Sequence, residues 1–386
     1  LTFLTCAAPE LEREIQRKLD SFCDDTILLP KRYSRNPLTG IWDRLRGLVF
    51  VARTGLKLSN FAIGKVDFSP LRVTRAVGSR HFDGVLYEYW HAVDSAAVFE
   101  KCGIPCVLDM HNILWQSYAR QLRDKKRAPT WWKTHSLARY RTLEEQAWNR
   151  FDALIAINQA ERCYAREHVS PEIPVFYAPM GADLRNWPYS WNPAHPPRLA
   201  YYGGLGSAHN QQAALSCVKD ILPTIWQRQP QAEFWIVGSD PPPRIRALAN
   251  DPRVRVTGFL ARPQEILRSM AGVFCPWSGT YGFRSRLVEV MALGVPVIAS
   301  PDAVHGMDLA DGQGIHLVDS TEAMARHGLK LIADPAFAAE QSRLARHSVE
   351  THYNADTSYG RLAADLWDLV HQPCERSFPH TSEATA

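Results

Sequence analysis

The chain has 386 residues, more than one ordinary core sustains and suited to two domains of roughly 150–200 residues each. Hydrophobic residues make up 46% and charged residues 22%, the balance of a globular protein in water, and the lack of any run of eighteen apolar residues argues against a membrane-spanning helix. The net charge of +4 is uneven: residues 1–190 hold 27 Lys+Arg against 21 Asp+Glu (+6), leaving 17 against 19 (−2) of the totals 44 and 40 for the rest. The basic first half is therefore the half expected to meet something anionic.

Leu1–Thr5 reads as a strand and runs into a charged segment rather than an apolar leader core. The eight cysteines are scattered, and Cys102 and Cys106 lack a second metal half-site, so reduced structural thiols in a cytoplasmic protein are expected. Ile41–Leu58 places Ile41, Trp42, Leu45, Leu48 and Val49 on one side, with Arg44, Arg46, Arg53 and Lys57 among and beyond them. Such a basic amphipathic helix can lie on an anionic bilayer or be an ordinary surface helix. Arg123–Lys133 sets a second basic cluster beside Trp131 and Trp132. Nucleic acid would also suit positive charge, but no binding motif accompanies it.

Strands are expected at Asp83–Trp90, Ile104–Met110, Phe151–Asn158 and Ile173–Ala178, with helices over His91–Lys101 and from near Gln159. The Pro/Trp/Asn-rich stretch Asn186–Pro197 reads as an interdomain linker. The second half restarts with a strand at Arg198–Tyr202 running into Gly203 and Gly204, then a helix over Asn210–Arg228. Further strands are Ala232–Val237 closed by Gly238, Val254–Thr257 closed by Gly258, Val273–Pro276, Pro296–Ser300 and Gly314–Val318. Helices near Thr321–Ala333, Phe337–Thr351 and Thr357–Val370 precede a polar tail. Alternating strands and helices argue for two α/β domains with parallel sheets, and ligands of such sheets bind beyond the carboxyl ends of the strands. The reading is a first domain 1–190, a second 191–352, a C-terminal helix 353–371 and a disordered tail 372–386.

The stretch Gly279–Ser300, GTYGFRSRLVEVMALGVPVIAS, carries the most chemistry. As a helix over Arg284–Leu293 it puts Leu287, Val290 and Met291 on one face and Arg286 with Glu289 on another. Gly294 is the natural helix stop and Pro296 confirms it. Gly279 and Gly282 let backbone approach a ligand just before the helix begins. A glycine-preceded helix N-terminus with Arg284 and Arg286 is an anion site, and Glu289 one turn on can accept from a ribose diol. The same spacing also suits a plain surface ion pair between Arg286 and Glu289.

This stretch resembles the donor-site signature of the retaining GT-B glycosyltransferases of family four (group 1), in the branch of bacterial exopolysaccharide and cell-envelope assembly. That pattern reads P-x5-G-x-K-x-K-hydrophobic-x-E-A-M-A-x-G-x-P-V-V. Pro276, Gly282, Arg284, Arg286, Glu289, Met291, Ala292, Gly294, Pro296 and Val297 fall in register with it. Arginines replace both lysines, keeping charge and adding bidentate geometry. Tyr281 stands where a commoner version has a second glutamate.

The resemblance implies two Rossmann-like domains with sheets facing across a cleft, braced by the final helix. It implies transfer of a sugar from a nucleotide-diphosphate donor to a glycan or lipid-linked acceptor with retention, in polysaccharide synthesis; a metal-free, cofactor-free reaction is expected because the sequence shows no metal cluster and the paired arginines can replace a divalent ion's charge. It places Gly204 and Asn210 of YYGGLGSAHN at the diphosphate, with His209 near where relatives carry lysine. FWIVGSD and VRVTGFL, ending at Gly238 and Gly258, would face the nucleobase. His111 would contact the donor sugar, with Arg284 and Arg286 stabilising the leaving diphosphate. Glu144 and Glu145 read as a solvated helix face, and no carboxylate nucleophile is assigned; Asp109 ranks below His111. The first loop, TCAAPELEREIQRKL, lacks the glycines relatives carry there. A nucleotide-sugar epimerase of similar architecture and a catalytically silent binding or scaffold subunit are the rival readings. A peripheral seat on the inner membrane face follows if the acceptor is lipid-linked.

Overall fold

The computed structural model describes residues 1–31, 41, 45, 48–49, 52, 62–124, 129–279 and 282–371. Tyr281, most of Ile41–Leu58, the centre of Arg123–Lys133 and the tail from residue 372 lie outside the described residues. The chain forms two compact units: Leu1–Ile155, Ala165–Phe176 and Ala363–Ala386 make the first, and Ala156–Tyr164 with Tyr177–Leu362 make the second.

In the first unit β1 (Thr2–Ala7) and β2 (Asp25–Pro30) pair in parallel around α1 (Glu12–Leu19). The strand β2 was not legible in the sequence, because DTILLP is a short apolar run with an acid at one end and proline at the other. After α2 (Pro70–Val77) comes a sheet in the order β3-β4-β5-β6, made of Val85–Glu88, Cys106–Asp109, Ala153–Ala156 and Val175–Tyr177. The helix expected over 91–101 is a tight 3₁₀ segment, Trp90–Ser95, followed by the short α3 (Ala96–Glu100). Ser95 Oγ donates back to Ala92 O at 2.7 Å and closes that tighter turn. The helices α4 (Leu114–Asp124) and α5 (Thr130–Trp148) follow β4, and α6 (Gln159–His168) joins β5 to β6.

In the second unit one six-stranded sheet has the order β12-β11-β10-β7-β8-β9. Its strands are β7 (Arg198–Tyr202), β8 (Glu233–Val237), β9 (Val254–Gly258), β10 (Gly272–Cys275), β11 (Val297–Ala299) and β12 (Ile315–Leu317). The strand pairs run parallel. Alternate residues face opposite sides: Leu199, Tyr201, Phe274 and Ile298 enter one apolar cluster, while Ala200, Val273, Cys275, Val297 and Ala299 enter the other. Both faces are covered, as a parallel sheet requires. The helices are α7 (Ala208–Ser216), α8 (Leu222–Arg228), α9 (Pro243–Arg246), α10 (Gln264–Leu267), α11 (Ser285–Ala292), α12 (Thr321–Ala333) and α13 (Pro335–His352), and α14 (Ala355–His371) begins in this unit and passes to the first at Ala363. The single helix expected over 210–228 is interrupted by a π-turn at Cys217–Ile221. Pro223 has no N–H to continue the α pattern, so the hydrogen bonding shifts at the turn before it.

The expected linker is not a free tether. Ser190 N and Trp191 N donate to Leu293 O at 3.1 and 3.0 Å, Asn192 N to Arg268 O, and Ala194 N to Ser269 O. Trp191 Nε1 reaches Met270 O at 2.8 Å. The tryptophans that made the stretch look irregular are its anchors: Trp187 and Trp191 pack against the core of the second unit. Residues 177–190 likewise cluster with that unit and not with the first.

Candidate functional site

The sheet of the second unit reverses its strand order between β7 and β10, and ligands of open α/β sheets bind beyond the strand ends at such a point. Both strands deliver motif residues there. Tyr202 ends β7 and is followed by the Gly203–Ser207 loop and the first turn of α7 with Asn210, while β10 is followed by Trp277 and the glycine-rich approach to α11.

The β7 loop is tied down by its own backbone. Gly203 N donates to Val237 O and Leu205 N to Ser239 O, at 3.0 and 2.8 Å. Gly238 is needed for that closeness, since a Cβ on it would lie 1.9 Å from Gly203 O. The Asn210 amide is already engaged: Nδ2 donates to Gly204 O at 2.6 Å and Oδ1 accepts from Tyr201 at 3.0 Å. Asn210 thus braces the loop that carries Gly204. Gly204 itself is roomy, with only Ser239 Oγ near a hypothetical Cβ, at 3.8 Å. Gly258 closes β9 with φ +70, and the next residue, Phe259, is 77% exposed.

After β10, Trp277 Nε1 donates to Gly279 O at 3.1 Å, and Gly279 N donates to Asp302 Oδ2 at 2.7 Å. Gly279 and Gly282 both hold positive φ, 104 and 69. Arg284 is the N-cap residue of α11, so the helix starts one residue later than the sequence suggested. Its guanidinium lies 3.7 Å from the centroid of the Trp277 ring, and His209 meets the same tryptophan with ring centroids 5.7 Å apart. The helix buries Leu287, Val288, Val290, Met291 and Ala292, and ends as expected: Gly294, at φ +85, donates to Met291 O.

On the solvent side of α11, Arg286 Nη1 lies 2.9 Å from Glu289 Oε2. The ion pair that spacing alone allowed is therefore real, but it is not merely a surface pair. Tyr202, from the neighbouring strand, donates to the same Oε2 at 2.8 Å, and Arg286 also donates to the Tyr202 hydroxyl. Tyr202 escaped sequence reading because a tyrosine in a strand looks like core.

In the first unit, His111 sits just past β4 with φ +52. Its N–H donates to Asp109 Oδ1 at 3.0 Å, its Nε2 is hydrogen-bonded to Glu88 Oε2, and its ring lies against Tyr89 with centroids 4.5 Å apart. The Glu88 carboxylate raises the imidazole pKa above its ordinary value, while burial opposes that shift. Burial raises the Asp109 carboxyl. Glu88, Asp109 and His111 each bring a ligand-type atom within 4.8 Å of the others, the one such group among the described residues, and are where the protein could hold a divalent ion. No spacing rule joined Glu88 to Asp109 and His111, since it comes from a different strand.

Glu144 corrects the sequence reading. It is 1% exposed, not solvated, and its carboxylate accepts from Leu114 N and Trp115 N at 2.8 and 2.6 Å, at the start of α4. Glu145, also expected on a solvated face, accepts from Arg141 Nε at 2.7 Å.

Residues 196–334 match a family model described as glycosyl transferases group 1. No curated protein matches the chain. Among solved structures, a glycosyltransferase from Rickettsia africae is 10% identical with TM-score 0.62, covering 96% of this chain and 99% of its own. Anabaena Alr3699/HepE, solved in complex with UDP-glucose, is 16% identical with TM-score 0.60 over 95% and 99%. A sucrose-phosphate synthase from Thermosynechococcus elongatus is 17% identical with TM-score 0.58 over 77% of each. The fold is α/β with parallel sheets and matches that of GT-B glycosyltransferases.

Proposed function

We propose that the protein transfers a sugar from a nucleotide-diphosphate donor to a glycan or lipid-linked acceptor, with retention of configuration. The observation that carries this is the switch-point cluster: a helix N-terminus preceded by positive-φ glycines, with Arg284, Arg286 and Glu289 beside it, inside the matched domain. The diphosphate would meet the first N–H groups of α11 together with both arginines, and the ribose would meet Glu289. The base would lie along the backbone at Gly238 and Gly258. UDP is the first donor nucleotide to test, since HepE was solved with it.

Departure of the nucleoside diphosphate develops negative charge, and fixed guanidinium groups and helix N–H groups are suited to stabilise it. Two arginines supply the charge that a divalent ion would otherwise bring, which supports a metal-independent reaction. A chelator should leave turnover unchanged; loss of activity would direct attention to Glu88, Asp109 and His111. For His111 we propose contact with the donor sugar. The pathway proposed is polysaccharide or cell-envelope glycoconjugate synthesis.

A membrane-facing acceptor is supported by charge and exposure. Ile41, Leu45, Leu48 and Val49 are helical, each at least 47% exposed, and lie within a basic stretch. None of the described helices is long and apolar enough to cross a membrane. Co-sedimentation with vesicles containing anionic lipid, and loss of it in Leu45→Asp/Leu48→Asp, is the expected result.

The deciding experiment is thermal unfolding with UDP, GDP, ADP and CMP and their sugar conjugates. A ligand at about 100 times its dissociation constant should add roughly 2.7 kcal/mol, and Glu289→Ala should abolish the gain. A nucleotide-bound protein with no transfer to any acceptor would turn the reading toward a binding subunit. No shift with any nucleotide would overturn the donor site.

A further inference from the structure

Glu289 is gripped on one oxygen only. Oε2 accepts from Tyr202 at 2.8 Å and from Arg286 at 2.9 Å, and among the described residues Oε1 accepts no hydrogen bond. A carboxylate oxygen has two lone-pair positions, so Oε2 is saturated and Oε1 is left to a ligand. The two gripping groups are not equivalent. Arg286 is mobile in role: it is half exposed and is one of the two cations available to a diphosphate. Tyr202 is fixed, since it ends β7 and its ring packs against the core cluster that α11 covers. Burial and the Glu289 charge push its hydroxyl pKa up, so it keeps its proton and donates. The Arg286 guanidinium lies 4.9 Å from the Tyr202 ring centroid, so the three side chains form one assembly across the strand-order reversal.

We propose that Tyr202 is a positioning residue that holds Glu289 with Oε1 toward the ribose of a bound nucleotide, and so sets the preference of this site for ribonucleotides over deoxyribonucleotides. The inference rests on the donor-site reading above and deepens it. When a diphosphate draws Arg286 away, Tyr202 is the remaining protein grip on the carboxylate. Without its hydroxyl, Glu289 is free to rotate, and a ribose hydroxyl meets an unfixed acceptor.

The test is calorimetric titration of the full chain and of Tyr202→Phe with UDP and 2′-deoxy-UDP, and likewise with the GDP and ADP pairs. Hydrogen bonds to charged groups scale the expected effect. Wild type should bind the ribo form about ten-fold or more tightly than the deoxy form. Tyr202→Phe should lose most of that advantage while binding the deoxy form as wild type does. Glu289→Gln should collapse the ratio in the same way, and unfolding curves of both variants report that the fold is kept. If Tyr202→Phe weakens both forms equally, or neither, the positioning role is overturned while the donor site stands. If wild type binds none of the nucleotides, the donor-site reading fails and takes this inference with it.

Discussion

The two units hold their polar groups in different ways. In the second unit, Tyr202, Arg286 and Glu289 come from a strand and a helix of one packed α/β layer, and the Tyr202 ring packs against a continuous core. In the first, His111 stands in a left-handed backbone conformation that a non-glycine residue rarely adopts, held by Glu88 and by the Asp109 side chain from two adjacent strand ends. One site is built by packing, with charge added on its rim. The other is built by charge and strain at strand ends. The first kind should fail when its packing is disturbed, and the second when a single polar partner is removed.

The largest expected break is steric. A Cβ on Gly294 would lie 2.3 Å from the Tyr189 ring at a φ of +85, so Gly294→Ala should cost about 2–5 kcal/mol in denaturant unfolding. Gly103, at φ +69 in the first unit, has nothing within 4 Å of its Cβ position; Gly103→Ala should cost only the backbone strain, about 1–2 kcal/mol. Equal losses would remove the contrast. Next come the functional groups. Arg284→Ala should weaken UDP binding roughly 10–100-fold, the scale of a lost charge-assisted hydrogen bond, with little change in stability. His111→Ala should leave UDP affinity in place and slow sugar transfer by roughly 10–100-fold. Calorimetry paired with a turnover assay separates the two, and a loss of UDP binding in His111→Ala would contradict the assignment.

The last effect is a pH dependence lodged in the second unit. His316 is 5% exposed and stacked between His327 and Phe337, and burial pushes its pKa down to about 4 from 6.5. Among the described residues its Nε2 has no hydrogen-bond partner. A base whose folded pKa is depressed binds protons more readily when unfolded. Stability is therefore whole above pH 6.5 and falls as pH drops from there toward about 4. His316→Phe should flatten that slope, read from melting temperatures across the range; an unchanged slope would place the dependence elsewhere.

Much of the second unit could be read from residue order alone. The strand-ending glycines, the stop at Gly294 and the helix that follows Arg284 and bears Arg286 and Glu289 all follow from local rules, because period, capping and glycine conformation act over a few residues. The sequence also determined that two α/β units were needed, since alternating apolar strands and amphipathic helices permit little else. It did not determine the partners that long-range packing selects. Glu144 looked solvated until α4 was seen to begin over its carboxylate. Asn210 was legible as a polar group near the loop, but not as the brace that Gly204 and Tyr201 make of its amide. Asn186–Pro197 looked like a tether until Leu293, Arg268 and Ser269 offered it carbonyls. Glu88 and Tyr202, the groups that grip His111 and Glu289, are 23 and 87 residues distant from them in the chain. Only tertiary structure joins residues so far apart, because strand order, which no local pattern encodes, decides which strand ends meet.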